Sequence, residues 1–125
     1  MNKSLNDSIL VVDDDFLIAE GLCVQVQDMG LQVCGTAASA DEAVALSQKF
    51  RPCVVLMDMR LQGSKDGVDA ALAIHYTVGS KVVFITGSRE AETLRRIALD
   101  HASAILFKPV ADNQLQTAIR IALSS

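Results

Sequence analysis

Five short apolar runs, each followed by an amphipathic segment of helix length, constrain the fold of this chain more than any other feature. The runs are Ile9–Val12, Leu31–Gly35, Cys53–Met57, Val82–Ile85 and Ala104–Phe107. The first, third and fourth runs are continuously apolar, which is typical of parallel strands covered by helices on both faces. We therefore predict that these three runs are the central strands of a parallel sheet.

Helical periodicity fills the segments that follow the runs. The predicted helices are Phe16–Met29, Ala40–Phe50, Val68–Val78, Arg89–Asp100 and Asn113–Leu123. Ser39 and Glu42 form a capping box before the second helix, and Gly30 follows the first, where a left-handed residue is expected. Five βα units predict an α/β fold, a doubly wound five-stranded parallel sheet in the order 2-1-3-4-5 with helices on both faces.

Size and charge limit the possible functions. A chain of 125 residues fits a single domain. Its formal net charge is -4 and its basic residues form no stripe, which argues against direct binding to nucleic acid. The apolar runs are too short to cross a membrane, and residues 1–8 lack the apolar stretch of a signal peptide. We therefore expect a cytoplasmic protein that does not contact membranes.

Polar residues stand just past the strand ends where a doubly wound sheet binds its ligands. Asp13–Asp15 follow the first run, Asp58 the third, Thr86 the fourth and Lys108 the fifth. Each residue alone is typical of a helix cap or a loop. Their joint placement at four strand ends predicts an acidic pocket that also holds a hydroxyl and an ammonium group.

Converging carboxylates repel one another, so this pocket predicts a bound cation. Mg²⁺ fits best because it uses one or two carboxylates and accepts a phosphate as a further ligand. The Asp58 carboxylate is then placed to attack a phosphoryl group and form an aspartyl phosphate. Lys108 and Thr86 are placed to balance charge on the phosphoryl oxygens.

Four motifs stand at the predicted strand ends. They are Ile-Leu-Val-Val-Asp-Asp at 9–14, Val-Val-Leu-Met-Asp at 54–58, Phe-Ile-Thr-Gly at 84–87 and Leu-Phe-Lys-Pro at 106–109. Together they make the whole chain resemble the response-regulator receiver domain of bacterial two-component signalling, which has a flavodoxin-like (βα)5 fold. The resemblance implies a receiver domain over residues 1–125 without an output domain.

The resemblance also implies the metal ligands. Asp13 and Asp14 would hold Mg²⁺, Asp14 directly and Asp13 through water. Asp58 would be both a ligand and the phosphoacceptor, and the backbone carbonyl of Arg60 would be a further ligand. On the other side of the pocket, the resemblance implies that Thr86 is the switch hydroxyl, that Lys108 pairs with the phosphoryl group, and that Pro109 follows a cis peptide bond.

The same resemblance implies partners. A sensor histidine kinase or a histidine phosphotransferase would donate the phosphoryl group, and no conventional turnover is expected beyond self-phosphorylation and autodephosphorylation. A downstream protein would bind the fourth helix, fifth strand and fifth helix, where Ile105 and Ile121 are candidate contacts. We expect a monomer or a weak dimer.

Helical spacing predicts which faces of two helices point to the core. The inward stripe of the first helix is predicted to be Ile18, Leu22, Val26 and Met29. Leu17 and Val24 lie off this stripe and are candidate contacts for the kinase. The core stripe of the fifth helix is predicted to be Leu115, Ala118, Ile119 and Ala122.

Departures from the usual receiver pattern are also present. Ile105 replaces the usual switch aromatic, Gln62 replaces a proline, and the loop from Asp58 to Gly67 is one residue longer. Phe-Ile-Thr-Gly-Ser and the missing aromatic resemble stand-alone receivers named for a Phe-Ala-Thr-Gly motif, which occur with alphaproteobacterial stress and light-signalling kinases. Ile85 and Arg89 differ from that motif.

Two other functions compete with a receiver. A haloacid-dehalogenase-like phosphatase would use Asp13 as nucleophile and Asp15 as acid/base, but no acidic pair follows Lys108 and Asp58 is left without a role. The second alternative is a phosphorylation-independent binding module on the same fold.

Overall fold

A parallel five-stranded sheet forms the centre of the protein. The computed structural model describes residues 8–61, 63, 65–87, 95 and 104–124. The strands are β1 (Ser8–Val12), β2 (Gln32–Ala37), β3 (Val54–Asp58), β4 (Lys81–Thr86) and β5 (Ala104–Phe107). All paired strands are parallel and their order is β2-β1-β3-β4-β5. The predicted sheet and strand order are confirmed.

Helices follow the strands as the βα pattern predicts. They are α1 (Phe16–Asp28), α2 (Ala40–Phe50), α3 (Gly67–Thr77) and the C-terminal helix (Asp112–Ser124). The helix predicted over Arg89–Asp100 lies outside the described residues, except for Arg95. Within the part of the chain that the structure describes, none of the helices has the length and apolar character needed to span a bilayer.

Local signals in the sequence place the boundaries of α1 and α2. Gly30 has a φ of 82°, the left-handed conformation expected just past α1. At the start of α2, the Ser39 hydroxyl accepts the N–H of Glu42 at 3.2 Å. The Glu42 carboxylate in turn accepts the N–H of Ala38 at 2.8 Å, one residue earlier than a standard capping box.

The sheet buries a hydrophobic layer on each face. Alternate side chains of β1, such as Leu10 and Val12, pack with α2 and α3, whereas Ile9 and Val11 pack with α1 and the C-terminal helix. Every residue of β1 and β3 is buried, and so is β4 after Lys81. The prediction that these are the central strands is confirmed.

The predicted core stripes are correct for one helix and partly wrong for the other. On the C-terminal helix, all four predicted residues are buried: Leu115, Ala118, Ile119 and Ala122. On α1, Leu22 and Val26 are buried, but Ile18 is 36% exposed. The inward face is instead completed by Ala19 and Cys23, because the apolar face of α1 is centred about one residue later than predicted.

Candidate functional site

Three carboxylates meet at the C-terminal edge of the sheet. Asp13 directly follows β1, Asp14 comes next, and Asp58 is the last residue of β3. One oxygen from each lies within 4.8 Å of the others. Asp13 and Asp58 are buried, whereas Asp14 is exposed. The structure therefore brings together the three predicted metal-binding side chains in a pocket that opens to solvent at Asp14.

Lys108 reaches into this cluster from the end of β5. Its Nζ lies 2.9 Å from Oδ2 of Asp13 and 3.4 Å from Oδ2 of Asp58. Its backbone N–H donates to the carbonyl of Thr86 at 2.9 Å. The peptide bond between Lys108 and Pro109 is cis, as predicted. One ammonium group thus lies between two buried carboxylates.

Thr86 lies at the same edge of the sheet. It is the buried last residue of β4, and the register pairs Asp58 with Ile85, one residue before it. The bond from Lys108 N–H to the Thr86 carbonyl links the backbones at the ends of β4 and β5. The switch role of the Thr86 hydroxyl stays a prediction.

The surroundings of Asp58 raise the pKa of its carboxyl group to about 6. Burial is the largest cause and the negative charge of Asp13 adds to it, whereas Lys108 and the N–H of Arg60 act in the opposite direction. Burial lowers the pKa of Lys108, but contact with Asp13 and the charges of both carboxylates raise it overall. The cluster therefore carries more negative charge than Lys108 neutralises.

The two oxygens of the Asp13 carboxylate have different contacts. Oδ1 of Asp13 accepts the N–H of Asp15 at 2.9 Å. Oδ2 is buried and makes an ion pair with the Lys108 ammonium group at 2.9 Å. A cluster whose metal ligands are all carboxylate oxygens, with one carboxylate exposed, fits a hard divalent cation.

Asp15 and Arg60 border the cluster and make local contacts. Oδ1 of Asp15 accepts the N–H groups of Leu17 and Ile18 at 3.0 and 3.2 Å, so Asp15 is the N-cap of α1. The N–H of Arg60 donates to Oδ1 of Asp58 at 3.3 Å. The metal-binding role of the Arg60 carbonyl stays a prediction.

Sequence reasoning missed one residue at the base of the site. Gly67, the first residue of α3, donates its N–H to the carbonyl of Met59 at 2.8 Å and lies against the backbone of Asp58. A signal was present, because Gly67 directly follows the helix-capping Asp66. Glycine is a weak helix former, and its use there indicates a packing requirement.

The candidate contact residues differ in exposure. Leu17 is 78% exposed and Val24 is 54% exposed on α1, and Ile121 is exposed on the C-terminal helix. Ile105 is half-buried beside Phe84 and packs against the core. Of the departures from the usual pattern, Gln62 and Arg89 lie outside the described residues.

An apolar groove of about 430 Å³ lies next to the carboxylate cluster. Its walls are the side of α1 that carries Ile18, Leu22 and Gln25, and the segment from Lys108 to Val110. The groove therefore joins the exposed part of α1 to the residue whose ammonium group enters the cluster.

Comparisons with known proteins agree with this geometry. The sequence model of the response regulator receiver domain family matches residues 9–120 of this chain. The transcriptional regulatory protein PdtaR of Mycobacterium tuberculosis is 30% identical over 116 residues, which are 93% of this chain and 56% of PdtaR. The chain spans about half the length of the curated relatives it matches.

Solved structures give the same result. The signal receiver domain of a modulated diguanylate cyclase from Desulfovibrio desulfuricans superposes with a TM-score of 0.90 and 32% identity, covering 95% of this chain and 94% of that one. The receiver domain of the PhyR response regulator from Erythrobacter litoralis has a TM-score of 0.84 and 28% identity, covering 95% and 91%. The chain belongs to the response regulator receiver domain family.

Proposed function

We propose that Asp58 is the phosphoacceptor of this receiver domain. A histidine kinase or a histidine phosphotransferase of a bacterial two-component system or phosphorelay donates the phosphoryl group in the cytoplasm. The observation that carries the proposal is the buried Asp58 carboxylate, with Asp13 beside it and the Lys108 ammonium 3.4 Å away. This combination supplies a nucleophile, a cation site and a fixed positive charge.

The contacts of the two buried carboxylates support Asp58 as the nucleophile. Both oxygens of Asp13 have a close contact at 2.9 Å, one with the N–H of Asp15 and one with Lys108. The contacts of Asp58 are longer, 3.3 Å to the N–H of Arg60 and 3.4 Å to Lys108. The Asp58 carboxylate is therefore held by weaker contacts than Asp13, and its oxygens are freer to form a bond to phosphorus.

Phosphoryl transfer from a phosphohistidine forms one bond and breaks one. A carboxylate oxygen of Asp58 attacks phosphorus, the phosphorus–nitrogen bond breaks, and the imidazole nitrogen of the donor keeps the electron pair. Lys108 pairs with the oxygens of the phosphoryl group, and the Thr86 hydroxyl binds one of them at the end of β4. The result is one aspartyl phosphate per chain rather than turnover of a substrate.

Mg²⁺ is the cation that we propose for this pocket. Asp13, Asp14 and Asp58, with the backbone carbonyl of Arg60, would hold it. When bound, it neutralises the carboxylates and the charge of the incoming phosphoryl group. The three carboxylate ligands, one of which is exposed, support this choice because hard divalent cations prefer oxygen.

The output of the domain follows from the added charge. A phosphoryl group brings roughly two negative charges to Asp58, which attract Thr86 and Lys108. The backbones of these two residues are joined by a hydrogen bond, so their movement also displaces the end of β5. We propose that a downstream protein reads this change on β5 and the C-terminal helix. Ile105 replaces an aromatic switch there, as in the Phe-Ala-Thr-Gly subfamily.

Labelling with a small-molecule phosphodonor and Mg²⁺, followed by intact mass measurement, tests the function. The mass of the wild type should rise by one phosphoryl group, and Asp58→Asn should show no rise. Asp15→Asn is the matched control, because asparagine also caps helices well and label should be retained.

Label that persists in Asp58→Asn would contradict the proposal. A phosphatase of the haloacid-dehalogenase type would instead lose activity in Asp15→Asn, whereas Asp15 caps α1 in this structure. A wild type that takes up no label, but still binds its partner, would favour the phosphorylation-independent binding module.

A further inference from the structure

The start of α3 is packed directly on the phosphoacceptor strand. A Cβ atom added to Gly67 would lie 2.9 Å from both the carbonyl carbon of Asp58 and the Cα of Met59, and closer still to the carbonyl oxygen of Asp58. Real Cβ atoms do not approach backbone atoms this closely. Since both neighbours are backbone, no side-chain rotation can relieve the overlap.

The need for glycine at this position comes from space rather than from backbone conformation. The glycines with positive φ are Gly30, Gly63 and Gly79, and Gly67 is not among them. Alanine at 67 would therefore be acceptable for the local helix and unacceptable only because of its contact with Asp58 and Met59. A substitution at Gly67 thus acts on the end of β3.

Hydrogen bonds fix Gly67 and the residues on either side of it. Its own N–H donates to the carbonyl of Met59 at 2.8 Å. On the helix side, Oδ1 of Asp66 accepts the N–H groups of Val68 and Asp69, both at 3.1 Å. The Asp69 carboxylate accepts the N–H of Asp66 at 3.1 Å, which completes a reciprocal capping box. The capped end of α3 is therefore joined to the end of β3 next to Asp58.

We propose that Gly67 is a positioning residue for phosphoryl transfer. Its missing side chain lets α3 contact the Asp58 backbone, and this contact sets how far the Asp58 carboxylate lies from Asp13 and Lys108. Among the described residues, the polar contacts of the Asp58 carboxylate are long, 3.3 and 3.4 Å, so they restrain its position weakly. The inference rests on the proposed role of Asp58 as phosphoacceptor.

The test compares Gly67→Ala with Gly35→Ala. Gly35 has no positive φ, and a Cβ there would make only ordinary contacts at 3.8 Å with the side chains of Leu10 and Leu46. Both variants are labelled with a small-molecule phosphodonor across a range of Mg²⁺ concentrations, well below their unfolding temperatures. We expect the maximal labelling rate at saturating Mg²⁺ to fall about 10- to 100-fold in Gly67→Ala, because small displacements of reacting groups cost this much.

The rate at saturating Mg²⁺ separates positioning from simple stability. If Gly67 is needed only for folding, its replacement by alanine would lower the unfolding temperature without changing the labelling rate of the folded protein. Folded Gly67→Ala that is labelled at the wild-type rate would overturn the inference and leave the role of Asp58 intact. If the wild type itself is not labelled on Asp58, the proposed function fails, and the inference fails with it.

A measurement on the wild type decides the case in which Gly67→Ala does not fold. The Gly67 N–H bonds to Met59, so its hydrogen exchange should be as slow as that of the amides in β3. Exchange at the rate of an exposed loop amide would mean that the contact does not hold Asp58 in place, and would overturn the inference.

Discussion

Asp13 and Asp58 show how two neighbouring carboxylates acquire different properties. Asp13 has two contacts at 2.9 Å, whereas Asp58 has two longer contacts and a pKa raised to about 6 by burial and by Asp13. Near neutral pH, the metal-free pocket is therefore negatively charged and poorly solvated. This destabilised state is the source of the affinity for a cation and for a phosphoryl group.

The raised pKa of Asp58 makes stability depend on pH. Since the folded value of about 6 lies above the ordinary 3.8, the folded protein keeps a proton that the unfolded chain has lost. This contribution is complete below the unfolded pKa and is lost as pH rises through the folded pKa. It amounts to about 1–3 kcal/mol of the free energy of unfolding in metal-free protein.

Asp58→Asn should therefore gain stability relative to the wild type as pH rises. Urea unfolding at about pH 4.5 and about pH 7.5, with a chelator present, measures the difference in the free energy of unfolding between the two proteins. The contributions of the other titrating groups largely cancel in this difference. A difference that is the same at both pH values would show that Asp58 titrates normally. Added Mg²⁺ should stabilise the wild type at the higher pH and have much less effect on Asp58→Asn.

At the scale of elements, α1 is tied to the segment that carries Lys108. The side-chain amide of Gln25 donates to the carbonyl of Val110 at 3.1 Å and to Oδ1 of Asp112 at 2.7 Å. Gln25 and Val110 both line the groove, and Asp112 is the first residue of the C-terminal helix. Gln25 thus connects the helix proposed to meet the kinase with the loop after β5.

Gln25→Ala should lower the free energy of unfolding by about 1 kcal/mol, because it removes both bonds. Gln27→Ala is the control, since Gln27 is exposed on the same helix. Urea unfolding measures both variants. The double variant Gln25→Ala with Asp112→Ala should lose less free energy of unfolding than the sum of the losses in the two single variants. Equal stabilities for the two glutamine variants would show that the bonds contribute nothing.

Most of the elements could be predicted because their causes are local. Continuous apolar runs mark β1, β3 and β4, and the residues at their ends had to meet at one edge once the strands were parallel. For the edge strand β2, the predicted bounds Leu31–Gly35 differ from the observed Gln32–Ala37, because only the last residue of this strand is fully buried.

The features that the sequence did not predict depend on distances between remote segments. The contact of Gly67 with Asp58 arises only when α3 packs on β3, and the bonds of Gln25 join residues 85 and 87 positions apart. The exposure of Ile18 follows from the rotation of α1 on the sheet, which a helical pattern determines only to within about one residue.

At the scale of the whole molecule, the pocket lies beside a surface suited to a donor protein. Phe16 and Leu17 are exposed at the start of α1, and the apolar groove leads from this helix to Lys108. We propose that the helical hairpin of the kinase or phosphotransferase docks here, with its phosphohistidine facing Asp58. This arrangement leaves β5 and much of the C-terminal helix accessible to a downstream partner.

Leu17→Ala should slow phosphoryl transfer from the cognate kinase about tenfold, the effect of losing about 1.4 kcal/mol of binding. Leu17 is 78% exposed, so unfolding and labelling by a small-molecule donor should not change. Leu72→Ala on α3 is the control, because Leu72 is exposed on the opposite face of the sheet. Unchanged transfer from the kinase to Leu17→Ala would count against docking at α1.

Chemical mapping of the phosphorylated residue tests the central claim most directly. Protein treated with a small-molecule phosphodonor, with Mg²⁺ or with a chelator, is reduced with borohydride, which converts an aspartyl phosphate to homoserine, and is then analysed by peptide mass spectrometry. The account predicts homoserine at position 58 alone, and only with Mg²⁺. Modification at Asp13 or Asp15, or equal modification with the chelator, would contradict it.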